Sequence, residues 1–279
     1  MKLNLEKTRR KVKALRFFIG LNVAALVLAF IISIPVFVAG IIVLTILGLA
    51  YYRIKAQYDA AFKEQVVQRE LESFLENTEF SPGRTLDESI VRECRLFKRY
   101  DAYSGNDYLS AGYKNIRFIQ SNIHLQEEYE INATDSEGDI DTEEGYNTVF
   151  RGRLTVFDYD AGASEPVYVF DKRMKRVESI LQTEFEAFNK TFGITAQDAL
   201  TAYIILTPQV IEGIALASDK LKYPMALAFL NGKIYIAVES GDAFEKASTG
   251  GASIAEQRAR VRREIQAVLD LAETICLKK

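Results

Sequence analysis

Nine carboxylates and no basic residue stand between residues 127 and 144, and this stretch is the part of the chain best suited to bind a cation. Oxygen-rich clusters of this kind hold calcium or magnesium. The order departs from an EF-hand, because Gly138 is fourth in the segment that starts at Asp135 and a tyrosine is twelfth. The alternative is a solvated loop over residues 127–147, kept disordered by its own repulsion. We predict this loop and assign no metal ligand.

A basic cluster is the second candidate site. It consists of Lys172, Arg173, Lys175 and Arg176. We place Arg151 and Arg153 on the same side. Such a patch would dock a tethered domain on an anionic leaflet, with each base near the surface contributing about 1 kcal/mol. The alternative is a solvated turn or helix face, or a set of partners for the acidic loop.

Signatures of known enzyme mechanisms are absent from the sequence. There is no G-x-S-x-G, no P-loop and no G-x-G-x-x-G after a strand. The single histidine, His124, lies in a strand-like run, and neither Cys94 nor Cys276 has a histidine or second cysteine nearby. These residue types predict a paired strand histidine and two structural thiols rather than a general base or nucleophile. We predict no catalytic residue and no cofactor.

The N-terminal segment is basic, whereas the rest of the chain is acidic. Residues 1–55 hold nine basic residues and one acid, a net +8, which leaves −11 for residues 56–279 because the total is −3. An acidic body argues against nucleic-acid binding, which needs a basic surface. One histidine and two cysteines also exclude a clustered zinc site and a disulfide-dense secreted scaffold.

A membrane segment explains the basic N-terminus. Residues 17–52 contain no charged side chain and, as one helix, would be about 54 Å long, whereas the hydrocarbon core is about 30 Å thick. We therefore predict a hairpin of two spans, 17–33 and 36–52, interrupted at Pro35. Basic residues on both flanks place both termini in the cytosol, at a bacterial inner membrane. A cleaved signal peptide is the alternative.

Helices and strands follow in the body. Apolar spacing predicts a connector helix over 53–78 and a short helix over 86–97. Turn residues occupy 103–107, and strands are predicted over 108–120, 121–129, 150–156 and 166–170. Thr207 and Pro208 start a helix, Asn231-Gly232 joins a hairpin over 225–238, and a last amphipathic helix spans 254–277.

These elements predict an α+β protein: a transmembrane helical hairpin followed by a cytosolic domain with a mainly antiparallel sheet and packed helices. The predicted segments are a basic cytosolic N-terminus (1–16), the hairpin (17–52), the connector (53–78), the α+β domain (79–246), and a linker with the C-terminal helix (247–279).

Several segments together resemble a bacterial membrane-protein family known as domain of unknown function 3137. The most specific are Phe150-Arg151-Gly152, the helix start Ile205-Leu206-Thr207-Pro208, and the hairpin Asn231 to Ala237. The resemblance implies a cytosolic α+β body on a membrane hairpin. It also implies an envelope-associated complex, with a LemA-like membrane protein as partner, and it brings no catalytic motif.

Two functional hypotheses follow. The first is a non-catalytic, membrane-anchored module that binds a protein partner; the second is a membrane-bound hydrolase or metal-dependent enzyme that uses dispersed carboxylates. An enzyme needs a deep pocket that gathers carboxylates with shifted pKa values, whereas a module needs an apolar patch, a sheet edge or a groove. Self-association through the helices at 56–76 and 254–277 is a third possibility.

Overall fold

The computed structural model describes residues 4–32, 34–134, 140–159, 165–174, 181–241 and 253–276. The chain divides into two compact units, Met1–Glu70 with Glu245–Arg260 and Leu71–Phe244 with Val261–Lys279. The second unit combines a large antiparallel sheet with helices, as the α+β prediction requires.

Two long helices begin the chain: α1 spans Leu5–Ile32 and α2 spans Ile34–Phe62. The helices contact each other, and the centroids of the Phe30 and Phe37 rings are 5.3 Å apart. Pro35 lies in the first turn of α2, where its missing N–H removes no helical hydrogen bond. A proline at this position is therefore compatible with the start of α2.

One helix in the described part of the chain, Ile34–Glu72, is long and apolar enough to cross a membrane. It includes the predicted second span, 36–52. The predicted first span, 17–33, lies mostly within α1 and remains a prediction.

The helix that leaves the apolar segment is shorter than the predicted connector, 53–78. It passes through a π-helical stretch, Lys63–Gln68, into the short α3, Arg69–Glu72, and the strand β1 then occupies Glu76–Ser81. The prediction is wrong over its last residues because β1 pairs with a neighbouring strand and Asn77 has a φ of 48°, which a right-handed helix excludes.

Seven further strands complete the sheet. They are β2 (Ala102–Tyr113), β3 (Ile116–Thr134), β4 (Ile140–Asp158), β5 (Val167–Asp171), β6 (Phe192–Ala196), β7 (Met225–Leu230) and β8 (Lys233–Val238). The order across the sheet is β1-β2-β3-β4-β8-β7-β5-β6, and every neighbouring pair is antiparallel. The β7–β8 hairpin therefore lies inside the sheet, as predicted.

A two-residue turn joins β7 to β8. Asn231 and Gly232 have φ values of 53° and 69°, the left-handed pair that a type I′ turn requires. The predicted hairpin over 225–238 is confirmed.

The predicted boundary between two paired strands at residues 120 and 121 is wrong, because β2 and β3 are joined by a turn of Lys114 and Asn115, both with positive φ. The turn predicted over residues 103–107 is also wrong. Residues 103–107 belong to β2, where the register shifts after Asn106 and Asp107 has a φ of 57°. The turn-forming residues of this stretch thus mark a β-bulge, which also favours positive φ.

The acidic segment is not a loop where the structure describes it. β3 and β4 continue their pairing from Glu127 opposite Asn147 to Thr134 opposite Ile140. The predicted loop over 127–147 is therefore wrong for these strand residues, because the cross-strand hydrogen bonds hold the backbone together despite the charge. Residues 135–139 lie outside the described part.

Among the described residues, five helices accompany the sheet. They are α4 (Glu88–Glu93), α5 (Glu186–Thr191), α6 (Ala199–Ile205), α7 (Pro208–Leu221) and α8 (Ile254–Cys276). α7 and α8 match the predicted helices closely. Most of the predicted linker, 247–253, lies outside the described residues.

The two faces of the sheet carry different layers. On one face, Leu154, Tyr235 and Ala237 join a buried apolar cluster with Leu86 and Val91. The other face meets α8, which contacts β4 and β2 through polar side chains and packs against α7 around Gly213.

Candidate functional site

An open groove of about 540 Å³ lies on the sheet face that also carries α4. The residues that line it are Asn77, Ile90, Ser110, Ala111, Gly112, Arg117, Phe118, Ile119, Val156, Asp158 and Lys233. Its size is that of a small-ligand or peptide side-chain pocket. All of these residues belong to the second unit.

Strand register builds the floor of the groove. Ser110 is paired with Ile119, and Ile119 is paired with Val156, so one row of side chains crosses β2, β3 and β4. The next row on this face includes Asp158 opposite Lys233, because residues two apart point to the same side. The floor is therefore apolar at its centre and charged at one end.

Glu93 fixes α4 to the β7–β8 turn beside the groove. Its carboxylate accepts hydrogen bonds from Asn231 Nδ2 and Lys233 Nζ, each at 3.1 Å. Burial alone would raise the pKa of Glu93, but the hydrogen bonds from Asn231 and Lys233, with the positive charge of Lys233, lower it. Glu93 is therefore ionised near neutral pH, and its carboxylate holds α4 against the β7–β8 turn.

Two tyrosines of the buried apolar cluster, Tyr235 and Tyr100, are poor proton donors. Burial, helped by the adjacent Glu93 carboxylate, raises the pKa of Tyr235. Burial also raises the pKa of Tyr100 to about 12. Near neutral pH this corner contains an ionised carboxylate and neutral phenols, an arrangement that suits binding better than general acid–base catalysis.

The described part of the acidic segment forms a charged ribbon of two paired strands. Glu130 lies opposite Glu144, and repulsion from Glu144 is the main cause that raises the pKa of Glu128. Asp101 accepts a hydrogen bond from the Glu128 backbone N–H. No group of three or more His, Cys, Asp or Glu side chains suited to a metal ion occurs among the described residues.

Two members of the predicted basic cluster are described. Lys172 donates to the backbone oxygen of Asn189 at 2.5 Å, and Arg173 binds the buried Asp171 carboxylate through Nε and a terminal nitrogen. Lys175 and Arg176 lie outside the described residues. Lipid docking by this cluster therefore stays a prediction, and Arg173 already has a structural role.

Arg153 was placed with the basic cluster, and this placement is wrong. Its side chain is 2% exposed and pairs with Glu264 of α8 at 3.2 Å. Asn122, directly opposite on β3, donates to Asp107 at 3.1 Å. Sequence reasoning missed this buried polar layer, although an arginine at the centre of an alternating strand was a signal for it.

The remaining candidates have structural surroundings. His124 Nε2 is 3.0 Å from Thr148 Oγ1 on the neighbouring strand, in agreement with the predicted pairing role. Cys94 is buried and its thiol donates to the Val91 backbone oxygen. Burial raises the pKa of the Cys276 thiol to about 11, so it is a weak nucleophile near neutral pH.

The fold and the groove define an antiparallel α+β domain with an open surface site. Residues 148–277 match the model of a family described as protein of unknown function (DUF3137). The match confirms the resemblance to this family for residues 148–277, just under half of the chain, and it contains β5 to β8 and α5 to α8. No curated protein and no solved structure matches the chain.

The F-x-G segment that carries the resemblance has a clear structural reason for its glycine. A Cβ on Gly152 would lie 2.1 Å from the Val238 backbone oxygen and 2.8 Å from the Ser240 backbone nitrogen. β4 and the end of β8 therefore approach more closely here than a side chain permits.

Proposed function

We propose that the protein is a membrane-anchored, non-catalytic module whose groove beside α4 binds a segment of a partner protein. The observation that carries the proposal is the lining of the groove, which combines an apolar centre with charged residues at its end. An extended segment with apolar side chains would cover Ile90, Ile119 and Val156, and an acidic residue in the same segment would pair with Arg117.

Membrane anchoring is part of this proposal. The apolar helix Ile34–Glu72 supports one span, and the uncharged residues of α1 support a second. The basic residues before residue 17 and after Tyr52 favour a hairpin with both ends in the cytosol of a bacterial cell. Reporter fusions at the two termini test the topology, because a terminus found outside the cytosol overturns it.

The enzyme hypothesis has less support. Glu93 beside the groove has a lowered pKa, whereas a general acid near neutral pH needs a raised one. Glu128, whose pKa is raised, lies on the exposed ribbon.

Site-specific photocrosslinking in native membranes tests the groove. A benzoylphenylalanine at Asp158, which is exposed and lines the groove, should crosslink to one defined protein. Benzoylphenylalanine at Tyr146, which is 50% exposed on the charged ribbon, is the matched control. We expect a crosslinked adduct at Asp158 and not at Tyr146. Because Arg117 is exposed, the variant Arg117→Glu, which reverses its charge, should abolish the adduct without disturbing the fold. Equal adducts at both positions, or an adduct that survives Arg117→Glu, would overturn the proposal.

A further inference from the structure

We propose that Lys13, Arg16 and Arg53 form a binding site for the phosphodiester of an anionic phospholipid. The three residues belong to the first unit, whereas the groove belongs to the second. The inference rests on the proposed membrane hairpin, because a chain inserted in a bilayer presents these cations to the lipid headgroups.

Two contacts determine the register of α1 against α2. Inside the apolar segment, a Cβ added to Gly40 would lie 2.6 Å from Leu26 Cδ2. Beyond that segment, burial raises the pKa of the Tyr58 hydroxyl and the charge of Arg9 opposes this effect, which requires that the two side chains lie close together. From the first contact to the second, α1 runs back from residue 26 to 9 while α2 advances from residue 40 to 58. The helices therefore stay antiparallel and in step over this length.

Three cations gather where the apolar segment ends. Lys13 and Arg53 are each 13 residues from the contact between Leu26 and Gly40, which places them at the same level. Arg16 is one helical turn, about 4.5 Å, closer to the apolar residues. All three residues are exposed. Like charges at one level repel each other, so a bound anion would be stabilising here.

The carboxylates of this unit do not neutralise the three cations among the described residues. Asp59 is paired with Lys55. Glu6 and Glu64 are exposed, but they lie 10 residues before Arg16 and 11 residues after Arg53, about 15 Å or more along the helices. Salt screens most of the interaction over that distance. Glu256 accepts a hydrogen bond at 2.6 Å from a backbone N–H at the start of α8.

The position of the cations favours a lipid headgroup over a soluble anion. They adjoin residues 17–52, which carry no charge, and Phe17 and Tyr52 beside them are 69% and 74% exposed. Aromatic side chains at the end of an apolar segment are typical of the headgroup level of a bilayer. The phosphodiester is the anion at that level, and the guanidinium groups of Arg16 and Arg53 offer paired N–H donors to its oxygens.

A lipid with a net negative charge should be preferred. A zwitterionic headgroup carries an ammonium group, which the three cations repel, whereas phosphatidylglycerol carries none. We therefore expect phosphatidylglycerol to be enriched around this end of the hairpin.

The absence of tryptophan from the chain allows a test with a single fluorescent reporter. The variant Tyr52→Trp of the full chain is reconstituted in vesicles of phosphatidylglycerol and phosphatidylcholine in equal amounts, and one or the other lipid is brominated along its acyl chains. Bromine quenches only nearby tryptophan, so the ratio of quenching by the two brominated lipids measures local enrichment. We expect at least about threefold enrichment of phosphatidylglycerol.

The matched control for the reporter is Ile34→Trp, at the opposite end of α2. Ile34 is 75% exposed, close to the exposure of Tyr52, and no charged residue lies within 17 residues of it. We expect a quenching ratio of about one at this position, since nothing there attracts an anionic headgroup.

Second-site changes assign the enrichment to the cations. The triple variant Lys13→Gln, Arg16→Gln and Arg53→Gln should reduce the ratio at Tyr52→Trp to the control value. Arg16→Lys with Arg53→Lys keeps the charge and should keep the enrichment. Lys7→Gln, at an exposed cation nearly two turns farther from the apolar segment than Lys13, should leave it unchanged.

The outcomes separate this site from the proposed anchoring. If neither brominated lipid quenches Ile34→Trp or Tyr52→Trp, the hairpin is not in the bilayer and both proposals are overturned. Quenching of both reporters without a preference for phosphatidylglycerol at Tyr52→Trp overturns the lipid site alone. A preference that survives the triple variant also overturns it. Loss of the preference in inorganic phosphate, but not in sodium chloride of the same ionic strength, would show that the cations bind a soluble anion instead.

Discussion

The guanidinium of Arg153, on the face of β4 that meets α8, is paired with the carboxylate of Glu264 on α8 at 3.2 Å. The two side chains are only 2% and 14% exposed. Burial lowers the pKa of Arg153, and the charge of Glu264 opposes this effect. The pair joins the C-terminal helix to the centre of the sheet through a buried polar contact rather than through apolar packing alone.

Removal of one member of this pair should destabilise the domain. Glu264→Gln leaves the Arg153 cation buried without its carboxylate, and breaking a buried pair in this way costs about 3–5 kcal/mol. We expect the loss in the free energy of unfolding, measured by denaturant titration of the protein in detergent.

Lys114→Gln provides the control. Lys114 also contacts α8, through Glu273, but its side chain is 56% exposed, and exposed pairs contribute less than about 1 kcal/mol. The double variant Arg153→Met with Glu264→Leu should recover most of the stability, because neither charge then remains buried. Equal effects of Glu264→Gln and Lys114→Gln would contradict this account.

Gly152 should be intolerant of any side chain. An added Cβ would be 2.1 Å from the Val238 backbone oxygen, so β4 and β8 would have to separate. We expect Gly152→Ala to cost more than about 3 kcal/mol, above ordinary overpacking, because backbone atoms cannot move aside as a side chain can. The free energy of unfolding is again the measurement.

Gly83→Ala is the matched change, since nothing lies within 4 Å of a Cβ at Gly83 and its φ is not left-handed. It should leave stability within about 0.5 kcal/mol of the wild type. If Gly152→Ala were equally mild, the close approach of β4 and β8 would be refuted.

The sequence correctly predicted the β7–β8 turn and the start of α7, because each depends on the conformational preferences of two adjacent residues. Asn231-Gly232 supplies both left-handed residues of a type I′ turn, and Thr207-Pro208 places a proline where a helix tolerates it. The turn at Lys114-Asn115 was missed because lysine rarely adopts positive φ, whereas Gly105 to Asp107 are turn-forming residues that lie inside a strand.

The features that the sequence did not predict depend on pairing between strands that are distant in the chain. The Glu-rich run from residue 127 has the charge pattern of a loop, yet its backbone is a strand because β4 pairs with it. The groove depends on the register that aligns Ser110, Ile119 and Val156, which are far apart in the chain. Periodicity within one strand gives the face of each residue but not its cross-strand neighbours.

Glu93 should make the stability depend on pH. Its pKa is lowered in the folded protein from an ordinary value of 4.5, so its contribution is present above that value and is lost as the pH falls through the folded pKa. We expect Glu93→Gln to lower the free energy of unfolding by about 0.5–1 kcal/mol near pH 7, because the pair with Lys233 is one-third exposed. The difference from wild type should shrink as the pH falls below this ordinary value of 4.5.

Thermal unfolding of both proteins between neutral and acidic pH measures this difference. Glu79→Gln is the control, because the Glu79–Arg84 pair is about 60% exposed and should contribute little at any pH. If the difference in stability between the wild type and Glu93→Gln stayed constant down to strongly acidic pH, the ionised form of Glu93 could not be the cause of that difference.

The Cys276 thiol should be unreactive in the folded protein. Burial raises its pKa from 9.0 to about 11, so its thiolate fraction below pH 9 is about 100-fold lower than that of an ordinary cysteine. We expect alkylation by iodoacetamide at pH 8 to be slower by about the same factor, with a rate that rises toward pH 11. Cys94 is buried and should stay unlabelled until the protein unfolds.

An exposed thiol introduced by Glu212→Cys on α7 calibrates the reaction, because it should be alkylated at the rate of a free cysteine in the same sample. Peptide mass spectrometry then separates the three thiols. Alkylation of Cys276 as fast as that of the introduced cysteine would show that its thiolate is accessible and would restore a nucleophilic role. Slow alkylation that becomes fast in denaturant would instead establish that packing of the C-terminal helix, rather than the chemistry of the thiol, controls its reactivity.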